Sequence, residues 1–431
     1  MLRSTDRILT THPGRLPNPE NYAAVLQARR SGDARRFDEL VGDGIQEMIR
    51  RQREIGLDIL SDGEFWKVRD QRWYDDRCSG VTVRSLRPGE AGFNNLSARR
   101  EGRMPEFRAF YEIYDQLGNT PMPGGRANPP ADMYQVITGP IQVTDGAAVR
   151  REVQRTRDAI LAAGERVEDF VFPVLGPGWL GHALHDEYYV DRDTYNYAMA
   201  DILRLDYLAV IEAGFTLQID DPALCTRNTV VEPPMSREEY RVDCEARIEA
   251  TNWGLRDIPE ERILYHTCWG SFHTPHTTDM PFEWVVDLLP KLNVGAYSVE
   301  AADVRHVLDF QLFETFKLPD GKAYFPGVIA HKTTTVEPPE LVAYRIERYA
   351  DLMGKENVVA SVDCGLGGRS YPDIGWAKLR SLVEGARLAS THLWGRVRPV
   401  GPRAAGHHEE PRVPVHRLDG AYETAMPMNS A

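Results

Sequence analysis

Short apolar runs, rich in β-branched and aromatic residues and bounded by turn formers, recur along the chain. Nine of them read as strands: RILTTH (7–12), LDILSD (57–62), YQVITG (134–139), DFVFPV (169–174), FTLQID (215–220), RILYHT (262–267), AYSVEA (296–301), PGVIAH (326–331) and VVASVD (358–363). Between most of them the apolar spacing lengthens to that of an amphipathic helix. The clearest cases are DTYNYAMADILRLDYLAVIEAG (193–214), SREEYRVDCEARIEATNWGL (236–255), PELVAYRIERYADLMG (339–354) and GWAKLRSLVEGARLAS (375–390). Strand followed by helix, many times over, predicts a parallel sheet with helical crossovers. The fold class expected is α/β, a (β/α)8 TIM-type barrel. Nine strand segments are one too many for a ring of eight, so one is expected to lie outside it or not to be a strand. An open doubly wound sheet is the second choice, and no G-x-G-x-x-G follows the first strand to support it.

Two regions break this rhythm. Residues at about 76–133 are rich in Arg, Gly, Pro and Asn (RPGEAGFNNLSARREGRMPEF, GNTPMPGGRANPP) and read as an insertion, a lid or a subunit contact. Residues 397–431 end in small polar residues and read as an extended C-terminal tail without a core of its own. The expectation is a single barrel over 1–396, carrying that insertion and followed by that tail.

Composition narrows the function. A hydrophobic share of 42% supports a sizeable core. Fifty-one basic residues against 64 acidic ones give a formal charge of −13, which argues against a nucleic-acid partner. No apolar stretch reaches the roughly 18 residues of a membrane span, and MLRSTDRILTTHPG lacks the apolar core of a signal peptide. Cys78, Cys225, Cys244, Cys268 and Cys364 are odd in number and widely spaced, so reduced thiols in a cytoplasm are expected. The oligomeric state is left open, a homo-oligomer included.

In a barrel, chemistry sits where strands end and loops begin. There RILYHT delivers His266 and Cys268, two apart and therefore on one side of an extended chain. AYSVEA delivers Glu300, and VVASVD delivers Cys364 ahead of the flexible GLGG (365–368). One imidazole, two thiolates and a carboxylate form a tetrahedral set that favours Zn2+ over hard cations. The competing reading is that each cysteine is simply a small buried residue, and Cys78, Cys225 and Cys244 take that reading.

Eight stretches occur in the order of one known family. They are TTHPGRLPNP (10–19), SDGEFWK (61–67), ITGP (137–140), LQIDDPAL (217–224), HTC (266–268), SVEAADVR (298–305), PGVIAHKTTTVEPPELV (326–342) and VDCGLGG (362–368). Over roughly residues 7–395 the chain resembles cobalamin-independent methionine synthase, in its C-terminal catalytic barrel and its single-barrel relatives. The resemblance implies a zinc barrel whose ligands fall on His266, Cys268, Glu300 and Cys364, and whose reaction alkylates a thiol. A free thiol has a pKa of about 8.5, and a bound Zn2+ favours the nucleophilic thiolate near neutral pH. Glu300 is the most replaceable ligand, the one an incoming sulfur would displace.

Other positions follow from the resemblance. Glu64 and Asp220 match residues that hold a substrate ammonium. The synthases carry a Ser where Arg15 stands, and an Arg there is able to grip a carboxylate, sulfonate or phosphate. A histidine thought to donate the proton to the leaving group falls on Lys332 or on its neighbour His331, with His331 favoured and Lys332 needing a lowered pKa to serve. Trp179 stacks on a pterin, closes over an apolar substrate or packs in the core. His273 and His276 read as polar loop histidines. The full-length synthases have a second barrel, for which no room is expected here, so the donor expected is a simpler folate, another methylated carrier or a different alkyl electrophile.

The first functional reading is thus methyl transfer from a methylfolate to homocysteine. The second is alkylation of another thiol, such as coenzyme M by an epoxide, with Arg15 on the sulfonate. A barrel with structural zinc and no turnover is a third. A decarboxylase of the uroporphyrinogen type shares the barrel but lacks H-x-C.

Overall fold

The strands that alternation predicts do form, and a computed structural model shows where each goes. It describes residues 3–67, 77–85, 87, 105–116, 133–226, 235–271 and 273–395. Much of the expected insertion and the whole of the expected tail lie outside the described residues.

Ten strands occur among the described residues: β1 (Leu9–Thr10), β2 (Cys78–Ser85), β3 (Met133–Val143), β4 (Val171–Leu175), β5 (His185–Asp186), β6 (Thr216–Asp220), β7 (Ile263–Thr267), β8 (Ala296–Val299), β9 (Ala323–Ile329) and β10 (Val359–Val362). Seven form one parallel sheet in the order β1-β10-β9-β8-β7-β6-β4. Its two edges meet through residues 58–60. The Asp58 and Ile59 N–H groups donate to the Thr10 carbonyl at 3.2 and 3.0 Å. On the far side the Leu60 N–H donates to Asp169 and the Val171 N–H to Leu60, both at 2.9 Å. The run LDILSD is therefore the eighth stave, and the ring closes as a barrel. The surplus segment YQVITG belongs to β3, in a separate three-stranded sheet ordered β2-β3-β5.

Leu9, Ile59, Val171, Leu264, Ala296, Ala323, Phe325 and Val359 make a buried apolar cluster of their own, drawn from seven staves. This is the barrel interior. The remaining stave, β6, sends in Gln218, which is paired in register with Leu264 and fully buried. The larger cluster lies between staves and helices.

The outer helices include Arg192–Glu212, Arg237–Gly254, Pro339–Met353 and Pro372–Trp394, close to the expected spans. The third starts on a proline at its first turn, where the missing N–H costs nothing. The second opens on a capping box, Ser236 with Glu239. After β7 and β8 the crossovers shrink to short 3-10 turns and one four-residue helix, Leu312–Thr315. Among the described residues no helix is long and apolar enough to cross a membrane.

Candidate active site

Strand parity carries the interior of the barrel to its C-terminal rim. Leu264 points inward, so His266 and Cys268 follow it, two and four residues on. Ala296 points inward, so Ser298 and Glu300 do too; Gln218 takes Asp220 with it. In register, His266 lies between Asp220 on β6 and Ser298 on β8. Cys364 follows β10 by two residues.

His266, Cys268 and Cys364 converge: one ring nitrogen and the two sulfurs all lie within 4.8 Å of one another. The sulfurs are 3.9 Å apart. Two thiolates at ~2.3 Å from one tetrahedral Zn2+ would stand about 3.8 Å apart, so the spacing fits. The His266 Nδ1 is 3.1 Å from the Ser298 Oγ, which fixes the ring, while its Nε2 is buried with no hydrogen-bond partner. An orphaned imidazole nitrogen beside two thiols is the donor set a soft cation needs.

Without a cation the trio shares protons. The Cys268 thiol donates to the Cys364 sulfur, which holds Cys364 well below its ordinary pKa against burial, with His266 assisting. Cys268, the donor, is pushed well above its own by Cys364 and by burial. Burial lowers His266, but its close contact with the Cys364 sulfur, first as a hydrogen bond and then through that sulfur's charge, outweighs burial and leaves the imidazole raised. Cys225 and Cys244, by contrast, are raised mainly by burial and stay inert thiols.

Glu300 does not complete the trio as a fourth convergent ligand. It groups instead with His331 and Asp363, whose ligand atoms lie within 4.8 Å of one another. Its Oε2 accepts from the Trp269 N–H at 2.8 Å, and its Oε1 lies 2.7 Å from the Lys332 Nζ. Lys332 also meets Asp303 at 3.2 Å and donates to the His276 Nε2 at 3.4 Å. Burial lowers the lysine, yet Glu300 and Asp303 outweigh it and raise it far above its ordinary range. That direction is opposite to the lowered pKa a proton donor near pH 7 needs. His331 is fully buried, and burial drives it well below 6.5, so it is neutral. Its Nε2 is 3.1 Å from the Ser271 Oγ, which in turn donates to the Cys364 sulfur at 3.5 Å. The two neighbouring residues thus both face the site, one toward the sulfurs and one toward the carboxylates.

The substrate-binding candidates follow the C-terminal ends of staves, with Asp220 beside His266 in register. Asp220 is buried and accepts from the Gln218 Nε2 at 2.6 Å. Glu64 is buried in a left-handed conformation, φ 54°, a strain that non-glycine residues show chiefly at functional sites. Trp179 is half-buried on the short helix Pro177–Ala183 that follows β4. The Arg15 guanidinium donates to Asn18 at 2.7 Å and to the Phe65 carbonyl at 3.3 Å, and lies 5.2 Å over the Tyr22 ring. Its carbonyl accepts from the Gly367 N–H at 2.7 Å, which places its backbone beside the loop after Cys364.

Sequence reasoning missed a buried charge network behind the site. The His276 Nδ1 faces Asp279 at 2.8 Å; His306 lies 3.4 Å from Asp279, 3.0 Å from Asp309, and stacks on Trp269 at 3.6 Å. The repeated H-x-x-D spacing, 276–279 and 306–309, was the available signal.

Comparison with known proteins agrees with the resemblance read from the motifs. Residues 185–388 match the family described as cobalamin-independent synthase, catalytic domain. A methionine synthase from Sulfurisphaera tokodaii is 24% identical over 228 residues, covering 52% of this chain and 58% of that protein. A 5-methyltetrahydropteroyltriglutamate–homocysteine methyltransferase from Thermotoga petrophila is 21% identical over 385 residues, 88% of this chain but 44% of that protein. The chain thus spans about half the length of these two relatives. A 2-hydroxypropyl-CoM lyase from Xanthobacter autotrophicus is 23% identical over 428 residues, 91% of this chain and 98% of that protein. The fold is shared with a B12-independent methionine synthase from a Shewanella species, at a TM-score of 0.65 and 18% identity over 90% of this chain and 99% of that one.

Proposed function

We propose that this relative of the cobalamin-independent methionine synthases is a cytoplasmic, zinc-dependent thiol alkyltransferase, with homocysteine as acceptor and a methylated folate as donor. The observation that carries the reading is the convergence of His266, Cys268 and Cys364 around an orphaned imidazole nitrogen. Those three residues hold the metal, with Glu300 within reach as a fourth. Zn2+ supplies Lewis acidity that keeps a substrate thiol deprotonated near neutral pH.

The remaining work falls to the chain. Glu64 and Asp220 are buried acids on the rim and bind the substrate ammonium; Arg15 binds an anionic group at the lip. Trp179, left partly open, covers an apolar or pterin ring. His331, neutral and buried beside Ser271, takes up the thiol proton and returns it to the leaving group, acting as the general acid in that second step.

A second reading rests on the match to nearly the full length of the coenzyme M lyase. In it the acceptor is coenzyme M, Arg15 holds the sulfonate, and the electrophile is an epoxide. Metal analysis of purified protein, followed by mass spectrometry of products formed from each thiol with its donor, separates the two. We expect one zinc per chain, lost or weakened together with turnover in Cys268→Ala. Full activity in that variant, or in metal-free protein, would overturn both readings.

A further inference from the structure

Glu300 and Lys332 are each almost fully buried, and their charges meet at 2.7 Å. The backbone of Glu300 is rooted beside the metal trio, since its N–H donates to the Thr267 carbonyl, between His266 and Cys268. With the backbone held there, rotation about the side-chain torsions is the movement that would carry the carboxylate between its neighbours. Toward the trio it meets the place where three candidate metal ligands converge among the described residues. Away from the trio it meets an ammonium and the Trp269 N–H.

Lys332 is built to release it. A buried ammonium stripped of its only counter-charge is strongly disfavoured, and such a lysine would never give its partner up. Lys332 has other partners: Asp303 at 3.2 Å and the His276 imidazole at 3.4 Å. Asp303 itself is anchored, because its N–H donates to the Asp363 carboxylate at 2.9 Å and its own carboxylate accepts from the Arg305 N–H at 3.0 Å. Asp303 is thus held from both its backbone and its carboxylate, whereas Glu300 would exchange the Trp269 N–H and the ammonium for the metal.

We propose that Lys332 is the alternate partner of Glu300, a built-in competitor that sets how tightly this carboxylate closes on the metal, with Asp303 as the stationary counter-ion that makes the exchange possible. Lys332 is thus a positioning residue: it acts on the metal through Glu300. This rests on the zinc reading above, and the consequence is an affinity tuned downward so that the fourth position is easily vacated for substrate.

The test is a double-mutant cycle on zinc affinity, read by titrating metal-free protein against a chromogenic chelator. Lys332→Met should raise affinity by about tenfold to a hundredfold, the usual reach of a group that orients a ligand. The same change in a Glu300→Gln background should raise it hardly at all, because the carboxylate being competed for is gone. Asp303→Asn should act with the opposite sign. It leaves Glu300 as the carboxylate paired directly with the ammonium and should weaken zinc binding, and it carries the test alone if the lysine variant does not fold by circular dichroism. An equal gain in both backgrounds would mean that Lys332 acts merely as a nearby positive charge, and no change in either single variant would mean that it does not act at all; each overturns the proposal while zinc binding stands. A wild-type protein that binds no zinc would overturn the functional reading first, and this one with it.

Discussion

His306 offers a quantitative test of the buried charge network. It is 4% exposed, lies between Asp279 and Asp309, and stacks on Trp269. Burial alone would lower the imidazole; the two carboxylates outweigh it and raise its pKa from 6.5 to about 9. A raised pKa contributes stability that is fully present below pH 6.5, fades as pH climbs, and is gone once pH passes 9. At about 1.4 kcal/mol per unit, the shift is worth roughly 3 kcal/mol to the folded state in acid. The perturbation is His306→Gln, which keeps a polar group of similar length but no titrating charge. Urea unfolding of metal-free wild-type and variant protein, at about pH 6 and about pH 10, gives four stabilities. Their wild-type-minus-variant difference should shrink by roughly 3 kcal/mol between the two conditions. Taking the difference cancels groups common to both proteins, such as Asp363, which burial and the Glu300 charge raise to about 8. A difference that stays constant with pH would refute the assignment of His306 as a buried cation.

Two further outcomes follow from packing. A Cβ on Gly327 would lie 2.0 Å from the Asp363 Oδ1, and Asp363 is the carboxylate that accepts from the N–H groups of Ala301, Ala302 and Asp303. Gly327→Ala should therefore cost on the order of 3 kcal/mol or more by disturbing a buried charged hydrogen-bond cluster, and calorimetry showing a wild-type melting temperature would rule the clamp out. Arg247, buried, donates to Asp243 and to the Gly178 carbonyl, each at 2.8 Å, while Asp221 fills the space against Gly176 and Gly178. Burial holds Asp221 up to about 6, with Arg247 as the main opposing influence. In Arg247→Met the carboxyl rises further, so the loss, about 3–5 kcal/mol for a broken buried pair, should be larger at about pH 8 than at about pH 5. Thermal melts at both values check the sign, and Trp179 fluorescence reports whether the helix after β4 has moved.

The barrel was legible because its signals are local. Period-two apolar runs and the helices between them depend on near neighbours in sequence, and the ring needs only that each be found. The identity of the surplus strand was not legible, since YQVITG carries the same pattern as the staves. What sets it apart is its pairing with Cys78–Ser85, a partner more than fifty residues away that composition had assigned to the insertion. The trio was legible through strand parity: once Leu264 faces inward, His266 and Cys268 must. Glu300 was correctly brought to the rim by the same rule, but parity says nothing about which way a flexible carboxylate turns after it arrives. That choice is made by Lys332, on a different stave, and by the Trp269 N–H. Arg15 shows the same limit, with its destination set by Asn18, Phe65 and Tyr22 rather than by its own motif.

The rim therefore divides into two halves with opposite electrostatic tasks. On one side the two sulfurs and the imidazole share protons at close range, which suits them to trade those protons for a soft cation. On the other, Lys332 and His306 are held charged by Glu300, Asp303, Asp279 and Asp309. Glu300 is rooted at the boundary, and the Ser271 hydroxyl touches both Cys364 and His331. Movement of a carboxylate across that boundary shifts one negative charge between halves without exposing any charge to an apolar wall, because Asp303 remains with the lysine. Under the proposed function, a site arranged this way would change its fourth ligand while the buried network stays satisfied, as the proposed transfer to a sulfur requires.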